Sequence, residues 1–359
     1  MQISKYLKDF DQSGTKVYIP SERYAIDLSL TENPLGFSPK VIDAIDKYKT
    51  QINHYSDPFH RELRDFLSKK FDIPSDHIIF GAGTDGLIEN IVRILVNPGD
   101  EVVMPELTFL NTSFASSIVG GKTVFSNMKD NFRIDFDDLK SKINENTKVI
   151  FVCNPNNPSG LVESHEDLLE LVQSTESLVV VDEANIEFAG ESLIKDAINH
   201  DNLIVLRTFS KGYGLAGMRI GYCVGNKQLL YYIWRIRPPF VNTYLAEKAA
   251  LAALEDNDHI LKSKDYVREG GVFLSSELKR LGFEIIESEA NCFLAKIPDM
   301  FDSSTQFNEL LHQHDCTVVD GKHFRSLGNR YVRIAPQLHE TNKKFVKIVE
   351  SILSKPGEP

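Results

Sequence analysis

The stretch N-L-I-V-L-R-T-F-S-K-G-Y-G-L-A-G-M-R-I-G-Y, residues 202–222, decides how the whole chain is read. Leu203 to Leu206 form an apolar run that predicts a short buried strand. That strand delivers Ser210 and Lys211 into a loop containing Gly212, Gly214 and Gly217. Arg219 follows on the next apolar run. A lysine at the mouth of a buried strand is a candidate Schiff-base nucleophile, because burial lowers its pKa and leaves free amine near neutrality. The Ser210 hydroxyl and the Arg219 guanidinium suit a phosphate. An ordinary solvated loop is the competing reading of the same residues.

Working outward, the same pattern of strand, polar loop and helix recurs upstream. Strands are expected at Ile78 to Phe80, Glu101 to Met104, Lys122 to Phe125, Lys148 to Cys153 and Leu178 to Val181. Helices are expected at Leu87 to Val96, Thr108 to Ile118 and Glu166 to Gln173. Continuous Val/Ile/Leu runs alternating with helices imply an α/β fold with a mainly parallel sheet covered on both faces. Such sheets bind ligands beyond the carboxyl ends of their strands, where every polar motif of this chain falls. Before the sheet come an irregular arm, a helix capped by Ser38-Pro39, a turn at His54 to Pro58 and an amphipathic helix to Phe71. After it come a helix with Trp234, a helical region from Tyr244 to Leu281, four shorter strands and a last helix from Glu340 to Leu353. The expected division is residues 1–44 as arm and part of a small domain, 45–245 as a large α/β domain, and 246–359 as a small α+β domain.

The chain has 359 residues, enough for a large domain and a smaller one. Its net charge of −11 argues against partners that are nucleic acids or anionic membranes. No apolar run reaches the about 18 residues of a membrane span, and Met1 to Asp11 is charged and shows no signal-peptide core. Cys153, Cys223, Cys292 and Cys316 lack zinc or disulfide spacing, so buried thiols in a reducing cytoplasm are expected.

Each strand end carries a distinct chemistry. Gly83, Thr84 and Asp85, opening the Leu87 helix, offer backbone N–H groups to a phosphate, or simply make a tight turn. Phe109 beyond the next strand suits stacking on a flat ring, or a place in the core. Asn154 to Gly160 reads N-P-N-N-P-S-G, a rigid turn that presents amides in a set geometry. Asp182 and Glu183 end an apolar strand, and one of them suits a protonated ring nitrogen. Metal binding is the alternative for that pair, although no histidines with ligand spacing accompany it. Arg333, inside the apolar run Tyr331 to Ile334, needs an anion: a substrate carboxylate or an internal partner.

Taken in order, N-P-N-N-P-S-G (154–160), V-V-D-E-A (180–184), S-K-G-Y-G-L-A-G-M-R (210–219) and Y-V-R-I (331–334) resemble the pyridoxal-phosphate enzymes of fold type I. The resemblance is to the histidinol-phosphate aminotransferase-like branch of the class I/II aminotransferases, near the threonine-phosphate decarboxylases, and spans Leu30 to Ala335. It implies that Lys211 forms the Schiff base with pyridoxal 5′-phosphate and moves the substrate's Cα proton. It implies that Asp182 keeps the pyridine nitrogen protonated, that Asn157 bonds the ring O3′ and that Phe109 stacks on the ring. Gly83, Thr84, Asp85, Ser210 and Arg219 would hold the phosphate, with Tyr55 reaching it from a second subunit of a homodimer. Arg333 would bind the substrate carboxylate.

Two positions depart from that pattern. Asn185 stands where the family commonly has a tyrosine that also bonds O3′. Asp320 stands where phosphate-ester enzymes of the branch carry an arginine, thirteen positions before the carboxylate arginine. With Glu32 in a segment near the substrate, Asp320 raises the expectation of a cationic substrate side chain, against the alternative of a solvated loop residue. The expected function is amino transfer between an amino acid and a 2-oxo acid. Decarboxylase or oxidase chemistry on the same cofactor, and a non-catalytic homologue that binds the cofactor, are the alternatives.

Overall fold

The computed structural model describes residues 24–354. Its thirteen strands are β1 (Ile26–Asp27), β2 (Ile78–Gly81), β3 (Glu101–Pro105), β4 (Lys122–Ser126), β5 (Thr147–Cys153), β6 (Leu178–Asp182), β7 (Leu203–Thr208), β8 (Gly221–Gly225), β9 (Glu284–Ile286), β10 (Phe293–Lys296), β11 (Cys316–Thr317), β12 (Val319–Asp320) and β13 (Tyr331–Ile334). Seven of them form the central sheet, in the order β2-β8-β7-β6-β5-β3-β4. All its pairings are parallel except those of β8, which runs antiparallel to both β2 and β7. The sheet is therefore mainly parallel, as the apolar runs imply, and its fold is that of the type I pyridoxal-phosphate enzymes.

Alternation along the strands explains why it is buried on both faces. Val179, Val181, Leu203 and Val205 enter one apolar cluster with the helices Arg61–Phe71, His165–Gln173 and Tyr244–Leu254. Val180, Ile204 and Leu206 enter another, with the helices Gly83–Leu95 and Lys227–Ile236. The chain leaves β3 for β4 at the edge, then crosses back to β5 on the other side of β3. That reversal opens a crevice at the carboxyl ends of β3 and β5, beside β6 and β7.

A second sheet, β12-β13-β10-β9, packs on the helices Asn257–Arg280, Ser304–His312 and His339–Ser354 through Phe293, Phe307 and Phe345. The N-terminal segment joins this layer: β1 pairs in parallel with β11, and Leu28 lies fully inside the same core.

Three elements differ from the sequence expectation. The helical region after Tyr244 is two helices, Tyr244–Leu254 and Asn257–Arg280. The break falls at Glu255-Asp256, where the Asp256 carboxylate caps the second helix by accepting from His259 N–H. The helix expected from Thr108 begins at Asn111. Gly83 to Gly86 is the first turn of the helix Gly83–Leu95 and not a loop ahead of it. No described helix is long and apolar enough to cross a membrane.

Candidate active site

Lys211 follows β7 and is half-buried. Its Nζ donates to the Thr31 hydroxyl at 2.6 Å. Burial of the amine, with the Arg333 charge second, lowers its pKa from 10.5 to about 8. The charge of exposed Glu32 works the other way and raises it. The lysine loop is clamped by the N-terminal segment: Asn33 Nδ2 donates to the Gly212 carbonyl at 2.8 Å. Gly214 has φ +68°, and a Cβ there would sit 2.0 Å from the Gly36 carbonyl oxygen, so no side chain fits.

The two carboxylates at the end of β6 have separate tasks. Asp182 is 2 % exposed, and its carboxylate accepts from Ala184 N–H at 3.0 Å. Burial, reinforced by the charges of Asp85 and Glu183, raises its pKa to about 7. A carboxyl group so placed stays ionised at neutral pH only beside a cation. Glu183 is already used: it accepts from Leu193 N–H at 2.7 Å and from the Ser192 hydroxyl at 2.6 Å, and it pairs with buried Arg207. Arg207 also holds Glu187 at 2.6 Å. Among the described residues no group of three or more His, Cys, Asp or Glu side chains is arranged to hold a metal ion.

Gly83, Thr84 and Asp85 open the helix Gly83–Leu95 with their N–H groups free for an anion. A Cβ on Gly83 would lie 2.7 Å from Arg219 Nη2. Arg219 itself has φ +50° and approaches Asp85 at 3.2 Å and the Ser210 hydroxyl at 3.5 Å. One guanidinium, one hydroxyl and a helix N-terminus thus meet at one point.

Of the three asparagines after β5, two build the turn. Asn154 bonds Glu163, and Asn156 bonds the Leu107 carbonyl, Thr108 and Ser159. Asn157 Oδ1 instead accepts from Arg333 Nη1 at 2.8 Å. Arg333 on β13 is wholly buried, donates also to the Ser29 carbonyl, and lies over the Phe324 ring. Asn185 is 4 % exposed and its Oδ1 has no hydrogen-bond partner. Phe109, half-buried, lies just beyond β3. Tyr55 is 78 % exposed and stacks on Phe240 at 4.2 Å, on a face away from this cluster's interior.

One expectation is corrected. Asp320 is neither a solvated loop residue nor turned toward Arg333. It is 4 % exposed and accepts from the Ser304 hydroxyl at 2.6 Å, the Thr305 hydroxyl at 2.7 Å and Lys322 N–H at 3.0 Å. Burial alone would raise its pKa, but these hydrogen bonds win and lower it. The residue paired with Arg333 across the sheet is Val319, packed with Leu107 and Phe324. Counting along the sequence lands one residue away from the strand register, and one residue reverses the face.

Several contributors were not anticipated. Thr31 and Ser29 lie in the irregular N-terminal arm, and nothing local says that they contact residues 180 and 304 positions away. Arg207 and Glu187 read as ordinary polar residues until the fold buries them together.

These residues fit pyridoxal phosphate. Asp182 offers a buried carboxyl to a ring N–H, Lys211 a buried amine that is partly deprotonated, Asn185 a buried amide whose oxygen has no hydrogen-bond partner, and Gly83 beside Arg219 a cradle that a Cβ would fill. Comparison with known proteins agrees. The family described as aminotransferase class I and II matches residues 24–352. A histidinol-phosphate aminotransferase of Methanococcus maripaludis is 36% identical, covering 94% of this chain and 96% of that protein. Another, of Methanococcoides burtonii, is 38% identical over 91% of this chain and 90% of its own length. Among solved structures, histidinol-phosphate aminotransferase from Sinorhizobium meliloti in complex with pyridoxal-5′-phosphate superposes with a TM-score of 0.87 at 23% identity, covering 98% of each chain. L-threonine-O-3-phosphate decarboxylase from Porphyromonas gingivalis gives 0.80 at 23% identity, over 92% of this chain and all of that one, which shows the shared fold. By family and by the residues its fold assembles, the chain belongs to the class I and II aminotransferases and is a pyridoxal-phosphate-dependent transaminase.

Proposed function

We propose that the chain exchanges an amino group between histidinol phosphate and a 2-oxo acid, with Arg333 as the anion anchor for both. The observation that carries this reading is the buried Arg333, held by Asn157 and Ser29 close enough to Lys211 for its charge to depress the lysine's pKa. Histidinol phosphate has a phosphate and no carboxylate, whereas a 2-oxo acid has a carboxylate. One fork of guanidinium N–H donors accepts either anion. The names of the relatives support the donor, and the inward turn of Asp320 removes the anionic residue that argued against a phosphate ester.

When bound, pyridoxal phosphate supplies a protonated pyridine ring that accepts the electron pair left at the substrate Cα. The chain's own residues do the rest. Lys211, its pKa lowered to about 8, would hold the cofactor and, as free amine, would take the substrate's Cα proton. Asp182 would accept the hydrogen bond of the ring N–H and hold that proton in place. Asn157 and Asn185 would hydrogen-bond the ring oxygen, Phe109 would cover the ring, and Gly83, Thr84, Asp85, Ser210 and Arg219 would grip the phosphate. Burial of Asp182, Asn185 and Arg333 keeps water from these groups.

Two copies assemble so that Tyr55 of each reaches the other's phosphate. The support is the exposed aromatic pair Tyr55 and Phe240, stacked on each other at 4.2 Å at the surface. The division into residues 1–44, 45–245 and 246–359 belongs to the same reading, supported by two separate sheets with separate cores. So does a reducing, cytoplasmic setting, supported by four free buried cysteines.

A second reading, a donor with a cationic side chain, rests on Glu32, whose charge reaches Lys211. The purified enzyme offered histidinol phosphate, arginine and glutamate separately decides the matter. Bleaching of the visible cofactor band by histidinol phosphate, reversed by 2-oxoglutarate, is expected. Turnover of arginine without turnover of the phosphate ester overturns the first reading in favour of the second.

A further inference from the structure

We infer that Asn242 is a positioning residue that ties the phosphate cradle of its own subunit to the loop bearing Tyr55, so that each subunit's cradle helps to complete its partner's site. The inference rests on the proposed reach of Tyr55 across the dimer.

Asn242 lies in the connection between the helices Lys227–Ile236 and Tyr244–Leu254 and is 4 % exposed. Its Nδ2 donates to the Gly81 carbonyl and to the Arg219 carbonyl, each at 3.0 Å. Gly81 ends β2, two residues before the glycine that opens the cradle. Arg219 brings the guanidinium to the same point and has a left-handed backbone, φ +50°, which a non-glycine residue keeps only when neighbours hold it. One buried amide therefore fixes both halves of the cradle.

The other end of Asn242 faces the loop. Its backbone carbonyl accepts from the Ser56 hydroxyl at 2.7 Å, and Ser56 is buried beside exposed Tyr55. Two more contacts hold the same loop to the same connection. Arg237 donates to the Pro58 carbonyl, and Phe240 stacks on Tyr55 at 4.2 Å. Asn242 thus hydrogen-bonds the cradle with its side chain and the Tyr55 loop with its backbone. A phosphate seated against Arg219 and Gly83 stiffens the point from which the neighbouring tyrosine projects.

The test uses mixed dimers of the full-length protein. One subunit carries Lys211→Ala, so that the visible cofactor band reports the other subunit alone. Asn242→Ala is added to the Lys211→Ala subunit, leaving the reporting site's own chain unaltered. Cofactor affinity at the reporting site is expected to weaken by about threefold to tenfold, the equivalent of one ordinary hydrogen bond. Ser56→Ala in the same placement deletes only the loop-side bond and is expected to do the same, so a subunit that fails to fold with Asn242→Ala does not close the question. Tyr55→Phe in that placement tests the underlying reading. If it leaves the reporting site unchanged, the crossing of Tyr55 fails and the inference with it. If Tyr55→Phe acts across the dimer while Asn242→Ala and Ser56→Ala leave the reporting site unchanged, the inference alone is overturned.

Discussion

Replacing Asp182 with asparagine is expected to stabilise the cofactor-free protein while disabling the enzyme. The Asp182 carboxyl is 2 % exposed and its pKa is raised from 3.8 to about 7 by burial, with the charges of Asp85 and Glu183 adding to it. A carboxyl whose folded pKa lies above its unfolded one favours the fold while it is protonated. That contribution is complete below about pH 4 and is lost as pH rises through about 7. The rise from 3.8 to about 7 corresponds to roughly 4 kcal/mol by which the ionised carboxylate burdens the cofactor-free protein above about pH 7. An asparagine side chain has the same shape and no charge, so the gap between variant and parent should open between about pH 4 and 7 and stay constant above. Thermal melts of the two apoproteins from about pH 4.5 to 8.5 measure it. At about pH 8 the variant should melt several degrees higher. The cofactor reverses the order, since its ring N–H gives the parent's carboxylate the cation it lacks. Added pyridoxal phosphate should raise the parent's melting temperature far more than the variant's, and kcat/KM should fall at least about a hundredfold in the variant. An apoprotein variant that melts at or below the parent at about pH 8 would refute the assignment of Asp182 as an uncompensated buried acid.

Three further outcomes follow from the geometry. Attachment of pyridoxal phosphate to the apoprotein should accelerate about tenfold per pH unit up to about pH 8 and then level off, since only the free amine of Lys211 reacts; stopped-flow absorbance follows it, and a plateau reached only near about pH 10 contradicts the depressed pKa. Arg333→Lys keeps the charge but loses the fork held between Asn157 and Ser29, so kcat/KM for the 2-oxo acid should drop by about tenfold to a hundredfold, measured by steady-state kinetics. Asp320→Asn should cost about 1–3 kcal/mol in denaturant unfolding, because its hydrogen bonds from the Ser304 and Thr305 hydroxyls tie the start of the helix Ser304–His312 to β12, while KM values stay at those of the parent; a changed KM would restore Asp320 to the pocket.

The strands of the central sheet and the polar groups at their ends were legible because both are local. An apolar run such as Val179 to Val181 predicts its own burial, and the turn after it carries the chemistry. The reversed direction of β8 was not legible, since Gly221 to Gly225 has the same apolar character in either direction. Nor do adjacent acids announce different fates. Only the fold shows that Glu183 meets Arg207 and Ser192 while Asp182 meets the crevice. Asp320 was misplaced because its face depends on which residue of β12 pairs with Arg333, a matter of register across a hairpin. Thr31, Asn33 and Asn242 escaped notice because their partners lie far away in the chain, 180, 179 and 161 positions respectively.

The segment from Ser29 to Thr31 acts as a ruler. Its first residue grips Arg333 through a carbonyl and its third grips Lys211 through a hydroxyl. Two residues of backbone span at most about 7 Å, so this short path limits how far apart the points that hold the arginine and the lysine can lie. If Arg333 anchors a donor's anionic tail as proposed, selection among donors by length is set in part by this peptide. Altering that preference calls for changing the path of residues 29–31, and enlarging the pocket would leave it as it is.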